Sequence, residues 1–561
     1  MPERRGEGGA RKSTTARERV VSRLPKIIVV TGGVLSGLGK GITCASIGNI
    51  LKRRGFRVNL QKFDPYLNSD AGTLNPGEHG EVFVTDDGGE TDLDLGHYER
   101  FLDERLTKDS SVMAGSIYAR VIENERRGTY LGRTVQVIPH VTDTIKEQLW
   151  SAARRSRCDI HIVEIGGTVG DYEGVVFHEA MRQLRLDVGQ GGVLYVHLVF
   201  LPHLEASGEV KTKPAQNSVR DLRNIGIQPD VLIVRSDHPV PKRLMTKLSQ
   251  FTNVQERAIV PLQTLPSVYE VPLVMEQYAL DHLILEHFQL RPRPQQDGTW
   301  QKLVHTIRRK KAPVTIAMVG KYLVMRDTYM SLVEALKAAA WANGRDLDLW
   351  WIDAEEIESG TLPLSALKRA SGVVVPGGFG KRGTEGKIRA IQYAREERVP
   401  YLGLCLGMQL AVVEFARNVL QIPTATSEEF HPKAEHRVIH LMAEQKSATG
   451  KGGTMRLGAW LCVLREGTRV RSLYGQRRIS ERHRHRYEFN NAYRERMEKR
   501  GLRTAGTTTD RTLVEIVELA GHPFFVGVQF HPEFQSRPTR PHPLFHGFIR
   551  AAVVRGHGQR S

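Results

Sequence analysis

The sequence predicts an α/β protein built from two doubly wound parallel-sheet domains. At 561 residues the chain exceeds the roughly 250 to 300 residues at which a single hydrophobic core stops growing. Short β-branched runs alternate with longer helical patterns in both halves, which is typical of parallel strands joined by crossover helices. A stretch containing prolines and a glycine separates the two series, so we expect two domains.

The first series follows a basic, polar arm over residues 1–24, which has no apolar stretch of the secretion-signal type and which we expect to be disordered. It begins with the run KIIVVT, which ends at a pair of glycines and reads as a buried strand. Strands are predicted at residues 26–31, 58–60, 160–165, 193–200 and 231–234. The first domain is therefore placed at residues 25–290.

The second series begins after a linker predicted at residues 291–312, where prolines and a glycine flank a short basic helix. Strand-like runs follow at residues 314–319, 373–375, 400–404 and 524–528, and each ends at glycines or a turn. The second domain is placed at residues 313–552, with a tail at 553–561.

Composition excludes several classes of protein. Apolar residues make up 40% and charged residues 25% of the chain, which is ordinary for a globular protein. No apolar run reaches the roughly 20 residues of a bilayer helix. The four cysteines (Cys44, Cys158, Cys405 and Cys462) lack paired spacing, so neither a disulfide framework nor a zinc site is predicted, and a cytoplasmic location is expected.

The formal net charge of +18 raises the question of a nucleic-acid partner. The arm holds only seven basic residues against three acidic ones, so most of the excess is spread over the body of the chain. Basic clusters are more often solvated surface, and phosphate-bearing substrates also favour positive clefts. A nucleic-acid partner is therefore not predicted.

A glycine-rich loop follows the first strand, in the segment TGGVLSGLGKG that ends at Gly41. Such a loop presents backbone N–H groups and a helix N-terminus to phosphate oxygens, while Lys40 adds a mobile positive charge. It departs from the standard Walker A pattern, because its first glycine lies one residue early and Gly41 replaces the usual Ser or Thr. A ligand for Mg²⁺ must then come from elsewhere; the alternative is a turn that only packs a helix on a sheet.

Two carboxylates suit such a metal–nucleotide site: Asp94, within ETDLDLGHYER, and Glu164, at the end of the strand at residues 160–165. Ligands of open α/β sheets gather beyond the carboxyl ends of strands, and Mg²⁺ accepts one or two carboxylates while phosphates fill other positions. Spacing alone leaves Asp92 and Glu90 open as alternatives, as well as surface or helix-capping roles.

Five blocks in this half resemble successive blocks of the CTP synthetases: TGGVLSGLGKG, GEHGEVFVTDDGGETDLDLGHYERF, YLGRTVQVIPH, VEIGGTVGD and SGEVKTKPAQNSV. The resemblance implies a P-loop-like synthetase domain that binds ATP, UTP and Mg²⁺. It implies that Asp94 and Glu164 bind the metal. It implies ATP contacts at Gly37, Leu38, Gly39, Lys40, Gly41, Ile42, Lys62 and Asp94. It implies UTP or CTP contacts at Ser36, Asp171, Tyr172, Glu173, Lys211, Thr212, Lys213, Pro214, Ala215, Gln216 and Lys247. The run GVVFHEAMRQ, beside Tyr172, departs from the family's SLPFLEAIRQ.

The second half contains a candidate nucleophile, Cys405, at a Gly-flanked turn between a buried strand and a helix (VPYLGLCLGMQL). A helix N-terminus and a histidine lower a thiol pKa, and His531 in VQFHPEF is the candidate partner, oriented by Glu533. The loop PGGFG offers N–H groups for an oxyanion, with Gly378 and the amide of Leu406 as donors. Singly, the cysteine could be an ordinary buried thiol and the histidine a core residue.

PGGFG, GLCLGMQL and QFHPEF, in this order, resemble the class I glutamine amidotransferases. The resemblance implies a nucleophile (Cys405), a general base (His531) and its partner (Glu533). It implies glutamine contacts at Gly378, Leu406, Gly407, Met408, Gln409, Glu429 and Arg486, the last of which would clamp the α-carboxylate. GGTMRLG (452–458) and RHRHRYE (482–488) further resemble the amidotransferase half of CTP synthetases.

Together the two resemblances imply that ATP phosphorylates O4 of UTP and that ammonia from glutamine displaces the phosphate to give CTP. Ammonia would be mostly protonated in water, so an internal passage is implied, with Pro76, His79 and Val82 at its entrance. The family also implies GTP activation, for which Arg382 is a candidate contact, CTP feedback inhibition and a homotetramer. Two alternatives remain: amination of another acceptor, such as a purine nucleotide, and a catalytically silent scaffold or filament subunit.

Overall fold

The computed structural model describes residues 24–294, 298–321, 325–441 and 455–558. Nearly all of the N-terminal arm, part of the linker, the start of GGTMRLG and the end of the tail lie outside the described residues. The chain divides into two compact units: unit 1 comprises Met1–Asp70 and Asp109–Asp297, and unit 2 comprises Ala71–Lys108 and Gly298–Ser561. Residues 71–108 thus group with the C-terminal half, whereas the sequence placed them within a continuous domain at 25–290.

The first half contains eleven described strands and ten described α-helices. The strands are β1 (Lys26–Gly32), β2 (Val58–Asp64), β3 (Phe83–Val84), β4 (Glu90–Thr91), β5 (Ser111–Met113), β6 (Ile160–Ile165), β7 (Val193–Phe200), β8 (His203–Leu204), β9 (Glu209–Val210), β10 (Val231–Ser236) and β11 (Ile259–Gln263). The helices are α1 (Lys40–Arg53), α2 (Pro76–His79), α3 (Asp94–Leu102), α4 (Ala114–Arg126), α5 (Thr142–Ser156), α6 (Val175–Val188), α7 (Lys213–Asn224), α8 (Lys242–Thr252), α9 (Val271–Gln277) and α10 (Leu280–His287).

Unit 1 is organised around one parallel sheet with the strand order β11-β10-β7-β1-β6-β2-β5. Strand β1 lies at its centre, and Ile27, Ile28, Val29 and Val30 have no exposed surface. A strand covered on both faces reads as a continuous apolar run, which is why KIIVVT shows no polar alternation. The order places the ends of β1, β6 and β2 side by side, so that their following loops meet at one edge.

The second half contributes the remaining described elements. The strands are β12 (Pro313–Gly320), β13 (Asp346–Asp353), β14 (Gly372–Val375), β15 (Tyr401–Leu404), β16 (Thr426–Ser427), β17 (Arg437–Leu441), β18 (Arg456–Leu464), β19 (Arg478–His485), β20 (Tyr487–Phe489), β21 (Leu502–Thr508), β22 (Val514–Leu519) and β23 (Phe525–Val528). The helices are α11 (Thr299–Arg308), α12 (Met330–Ala342), α13 (Ala354–Ser359), α14 (Thr384–Glu396), α15 (Leu406–Asn418), α16 (Arg469–Tyr474), α17 (Arg494–Lys499) and α18 (Pro543–Gly558).

Unit 2 contains a nine-stranded sheet with the order β13-β12-β14-β15-β23-β22-β21-β18-β19. The first five strands are parallel, and the last four join antiparallel. Both faces of the parallel part are covered, since Val373 and Val375 belong to one apolar core and Val374 to the other. The α/β prediction is confirmed, with the addition that this sheet is mixed rather than wholly parallel.

Every strand predicted from the apolar runs is present, as β1, β2, β6, β7 and β10 in the first half and β12, β14, β15 and β23 in the second. The antiparallel strands escaped prediction because they carry polar and charged residues; β19, for example, reads RISERHRH. All four cysteines lie in the described part of the chain, where each is buried and none forms a disulfide. Among the described helices, none combines the length and apolar character needed to cross a bilayer.

Candidate active site

Cys405 lies at the turn that joins β15 to α15 in unit 2. Its backbone has a positive φ of 50° with ψ at −102°, which non-glycine residues rarely adopt. A Cβ on the following Gly407 would lie 2.2 Å from the carbonyl oxygen of Val375, and one on Gly403 would lie 2.4 Å from the hydroxyl of Tyr401. The turn therefore requires both flanking glycines, and it places the sulfur at the N-terminus of a helix.

The thiol of Cys405 is only 3% exposed. Its sulfur donates to the carbonyl oxygen of Arg484 at 3.8 Å and accepts from the side-chain amide of Gln529, also at 3.8 Å. An amide N–H directed at sulfur stabilises negative charge there. Sequence reasoning missed Gln529, although it lies in the quoted motif QFHPEF.

His531 follows β23, and its ring lies beside the turn that holds the thiol. A Cβ on Gly377 would lie 2.8 Å from Cε1 of His531 and 3.6 Å from Cβ of Cys405, so both side chains adjoin the same glycine. The Nδ1 atom of His531 lies 2.8 Å from Oε1 of Glu533. Within the described part of the chain its Nε2 atom is buried without a hydrogen-bond partner.

The protonation of His531 is set by opposing influences. Burial alone would lower its pKa, but the charge of Glu533 and the contact with Cys405 outweigh burial and raise the pKa to about 10. The arrangement therefore favours an imidazolium beside the sulfur, and a positive charge in that position favours the nucleophilic form of a cysteine.

The PGGFG loop follows β14 and faces the thiol. Lys321, which is 2% exposed, donates through its Nζ to the carbonyl oxygen of Phe379, and burial lowers the pKa of that lysine. The N–H of Gly380 donates to Glu429 at 2.6 Å. The loop is thus fixed from two sides, with Gly378 between them.

The residues implied for glutamine binding divide into two groups. Glu429 and Arg486 interact electrostatically, and burial raises the pKa of Glu429 against that attraction. The side-chain amide of Gln409 instead donates to the carbonyl oxygen of Tyr487 at 3.0 Å and to Gln529 at 3.3 Å. With Leu406 and Met408 almost fully buried, this second group supports the turn from beneath.

A cavity of about 330 Å³ opens beside Cys405 within unit 2. It is lined by Gly72, Leu74, Glu81, Val82, Thr328, Tyr329, Leu332, Pro376, Gly377, Gly378, Phe379, Cys405, Arg484, His531, Glu533 and Phe534. Val82 therefore lines the same cavity as the thiol, whereas Pro76 and His79 are not among its lining residues. Burial raises the pKa of Glu81 to about 7, against hydrogen bonds from Ser331.

The glycine-rich loop of unit 1 connects β1 to α1. Gly37 and Gly39 have φ of 69° and 98°, and a Cβ on Gly33 would lie 1.6 Å from the hydroxyl of Ser218. Lys40, the first residue of α1, donates to the carbonyl oxygen of Gly167 at 2.7 Å. The lysine thus joins this loop to the one that follows β6.

Two further implied residues lie at the same sheet edge. Lys62 on β2 and Glu164 on β6 are register partners on adjacent parallel strands, and they are 6% and 2% exposed. Lys62 also lies 3.4 Å from a carboxylate oxygen of Asp64. Asp94, the other candidate metal ligand, begins α3 in unit 2, and its N–H donates to Asp92.

Two buried histidines behind the loop escaped sequence analysis. His197 bridges the hydroxyls of Thr31 and Ser218 at 2.8 Å each, and burial, with His178 and Lys40 adding to it, lowers its pKa to about 3. Burial also lowers the pKa of His178. Both rings are therefore neutral beneath a loop that presents a lysine.

Two of the three lysines implied for UTP line a separate cleft of about 540 Å³, and Lys213 does not. Lys211, Thr212, Arg243 and Lys247 are among its lining residues, and Lys211 lies 2.5 Å from Glu209. Lys213 begins α7, Pro214 lies in the first turn, and Gln216 donates to Thr212 at 3.1 Å. Ser36, Asp171, Tyr172 and Glu173 do not line this cleft, and Tyr172 is 94% exposed.

Comparisons with known proteins cover both halves of the chain. Residues 26–290 match a family model described as CTP synthase N-terminus, and residues 324–551 match glutamine amidotransferase class-I. The CTP synthase of Geobacillus kaustophilus is 52% identical over 530 residues, covering 94% of this chain and 100% of that protein. The CTP synthase of Dehalococcoides mccartyi is 52% identical over 540 residues, covering 96% and 99%. The glutaminase domain of Trypanosoma brucei CTPS with bound acivicin is 40% identical, with a TM-score of 0.41, and covers 43% of this chain and 94% of that one.

Proposed function

The chain belongs to the CTP synthase family, and from this premise we propose how its residues divide the reaction. As a member of that family it converts UTP to CTP with nitrogen from glutamine, and it consumes ATP. The relatives give no support to a different acceptor. The observation that carries the assignment of roles is the meeting of Cys405, His531 and Glu533 at a strained turn beside a cavity.

Glutamine hydrolysis begins when the thiolate of Cys405 attacks the side-chain amide carbonyl. The backbone N–H groups of Gly378 and Leu406 stabilise the oxyanion, and His531 gives its proton to the departing ammonia. His531 then accepts a proton from the water that releases glutamate from the thioester, while Glu533 holds the ring. Arg486 binds the α-carboxylate of glutamine through its guanidinium, and Glu429 binds the α-ammonium.

Ammonia released at Cys405 enters the adjoining cavity, whose walls include Val82. A site that excludes bulk water keeps ammonia unprotonated and concentrated. The family resemblance extends the passage to Pro76 and His79, and that extension rests on the resemblance alone.

ATP is bound by the loop from Gly37 to Ile42, with Lys40 and Lys62 supplying charge to its phosphates. The γ-phosphoryl group passes to O4 of UTP, and ammonia then displaces phosphate at C4. A bound Mg²⁺ would supply positive charge to offset the phosphate oxygens. Glu164 in unit 1 is a proposed ligand, because Mg²⁺ binds carboxylates. Asp94 keeps its assignment as a ligand by the family resemblance alone.

The UTP triphosphate is assigned to the cleft that carries Lys211 and Lys247, because paired ammonium groups suit a polyphosphate. Lys213, Pro214, Ala215 and Gln216 form the start of the helix beside it. Ser36 and the run Asp171 to Glu173 keep their assignment to the pyrimidine nucleotide by resemblance.

The homotetramer is proposed from the resemblance to the family alone. GTP is proposed as an activator and CTP as a feedback inhibitor. Arg382, which lies 3.1 Å from Glu355 just after the PGGFG loop, is the proposed GTP contact.

The division into two sites is tested by supplying UTP, ATP and Mg²⁺ with either glutamine or ammonium and measuring CTP. Cys405→Ala should abolish the glutamine-driven reaction and spare the ammonium-driven one. Lys40→Ala should lose both. Loss of ammonium-driven synthesis in a folded Cys405→Ala protein would contradict the division.

A further inference from the structure

Glu99, on α3, is a fully buried carboxylate held between two arginines of the C-terminal half. Its two oxygens accept from both terminal nitrogens of Arg482 at 3.0 Å, and one of them also accepts from Arg537 at 2.7 Å. The backbone N–H of Leu106 donates to the same carboxylate at 2.8 Å. Glu99 and the side chain of Arg482 are 0% exposed, and Arg537 is 4% exposed. All of these residues belong to unit 2.

The two arginines flank the turn that carries the candidate base and its partner. The carbonyl oxygen of Arg482 accepts from the backbone N–H of His531 at 2.8 Å. Arg537 donates to the carbonyl oxygens of Phe534 and Ser536, each at 3.0 Å. Glu533 lies between these anchor points, in the short 3₁₀ turn Pro532–Gln535. The backbone before Glu533 is therefore hydrogen-bonded to the main chain of Arg482, and the backbone after it to the guanidinium of Arg537. Glu99 neutralises the side chains of both arginines.

Neutralisation of the buried guanidinium groups of Arg482 and Arg537 depends on Glu99 more than on any neighbouring carboxylate. Asp86 accepts from Nε of Arg482 at 2.5 Å but is partly exposed, and Asp103 lies 3.7 Å from Nε of Arg537 with 40% of its side chain exposed. Removal of one partner from a buried ion pair leaves an uncompensated buried charge. Without Glu99, two buried guanidinium groups would lose the carboxylate that they share, and they would have to move toward water.

We propose that Glu99 is a positioning residue for glutamine hydrolysis: it fixes Arg482 and Arg537, and through them the backbone of His531 and Glu533. It does not line the cavity at Cys405, so it acts through the arginines. The glutaminase site therefore takes its supporting carboxylate from residues 71–108, in the N-terminal half of the sequence. This inference rests on the proposed roles of His531 and Glu533.

The test compares Glu99→Gln with Asp103→Asn in the full-length protein. Both substitutions remove one carboxylate charge near Arg537, but only Glu99 is buried. Glu99→Gln should lower kcat for glutamine hydrolysis by about 10- to 100-fold, because small misplacements of reacting groups cost this much. KM for glutamine should change less than threefold, since the glutamine contacts are untouched, and ammonium-driven CTP synthesis should be retained. Asp103→Asn should leave all three quantities within about twofold.

A second variant separates positioning from general damage. In Glu99→Gln with Arg537→Gln the excess buried charge is removed, so kcat for glutamine hydrolysis should recover at least threefold relative to Glu99→Gln alone. Unchanged glutamine hydrolysis in Glu99→Gln, an equal loss of ammonium-driven synthesis, or no recovery in the double variant would each overturn the proposal. If Glu99→Gln does not fold, Glu99→Asp takes its place: it keeps the charge on a side chain one methylene shorter and must show the same selective fall in kcat.

His531→Asn distinguishes failure of this inference from failure of the proposed function. If His531→Asn still hydrolyses glutamine at the wild-type rate, the assignment of the base is wrong whatever Glu99 does. If His531→Asn is inactive and Glu99→Gln is fully active, only the positioning role fails.

Discussion

The Nδ1 atom of His531 lies 2.8 Å from Oε1 of Glu533, two residues further along the same turn. This bond fixes the orientation of the ring and directs its other nitrogen away from the carboxylate. The same pairing holds the pKa of His531 at about 10 despite burial, which opposes it. The pair therefore sets both the orientation and the charge of the group beside the thiol.

Glu533→Gln should reduce kcat/KM for glutamine hydrolysis by about 10²- to 10⁴-fold, as loss of the orienting carboxylate does in comparable triads. Without that negative charge the pKa of His531 should fall, so the remaining activity should depend on pH at lower values than in the wild type. A pH profile of glutamine hydrolysis checks both points. Ammonium-driven CTP synthesis serves as the control; if it falls equally, the effect is not local to the triad.

The pH dependence of stability should reflect the raised pKa of His531. A histidine whose pKa rises from 6.5 to about 10 on folding contributes stability that is complete below pH 6.5 and is lost as pH rises through 10. The difference in unfolding temperature between the wild type and His531→Asn should therefore shrink steadily across that window. Thermal unfolding at several pH values measures it, and a difference that grows with pH would contradict the assignment.

Gly407→Ala should destabilise unit 2 and abolish glutamine hydrolysis. The new Cβ would lie 2.2 Å from the carbonyl oxygen of Val375, a backbone atom that cannot move aside. Overpacking of this kind costs about 1 to 3 kcal/mol. Gly191→Ala is the control, since its Cβ would meet nothing within 4 Å. Chemical denaturation measures the free energy of unfolding of both variants, and a glutaminase assay measures their activity. Full activity in Gly407→Ala would contradict the turn geometry.

Lys387 on α14 has no exposed surface, and within the described residues its Nζ has no hydrogen-bond partner. Burial lowers its pKa from 10.5 to about 7, with Lys321 adding to the effect. The resulting penalty to stability is absent above pH 10.5, grows as pH falls and is complete below pH 7. Lys387→Met should therefore raise the unfolding temperature most near pH 7 and least near pH 10.5. Equal effects at both pH values would contradict a depressed pKa.

Lys211→Ala and Lys247→Ala should each raise KM for UTP by about 10-fold or more, because a hydrogen bond to a charged group contributes roughly 1.5 to 3 kcal/mol. The rate of glutamine hydrolysis without nucleotide should stay unchanged. Lys242→Ala is the matched control, since this exposed lysine begins the same helix as Lys247 but does not line the cleft. An unchanged KM for UTP in both variants would show that the UTP triphosphate does not bind in this cleft.

Sequence reasoning reached the parts of this molecule that local patterns encode. The apolar runs predicted the parallel strands, and the quoted motifs placed the nucleophile turn and the phosphate loop at strand ends. It missed Gln529 beneath the sulfur, Lys321 behind the PGGFG loop and His197 behind the phosphate loop. Each of these depends on contacts between residues far apart in the chain, which no local spacing reveals.

The alternation in RHRHRYE illustrates the same limit. In the sequence this segment indicated a resemblance to a family, which implied that Arg486 contacts glutamine. In the structure Arg482 pairs with Glu99, and Arg484 pairs with Glu90. His483 and His485 are buried and hydrogen-bonded to each other at 2.9 Å. Period-two alternation sends neighbouring side chains to opposite faces of a strand, yet only the fold shows which carboxylates meet them.

The grouping of residues 71–108 with the C-terminal half has a practical consequence for dissecting this enzyme. A gene fragment that starts at residue 298 would encode Cys405, His531 and Glu533. It would lack the carboxylates that pair with Arg482 and Arg484, which are Asp86, Glu90 and Glu99. Fusing residues 71–108 to that fragment through a short linker would restore the missing counterions. The boundary of the glutaminase unit therefore follows the ion pairs between residues and not their order in the sequence.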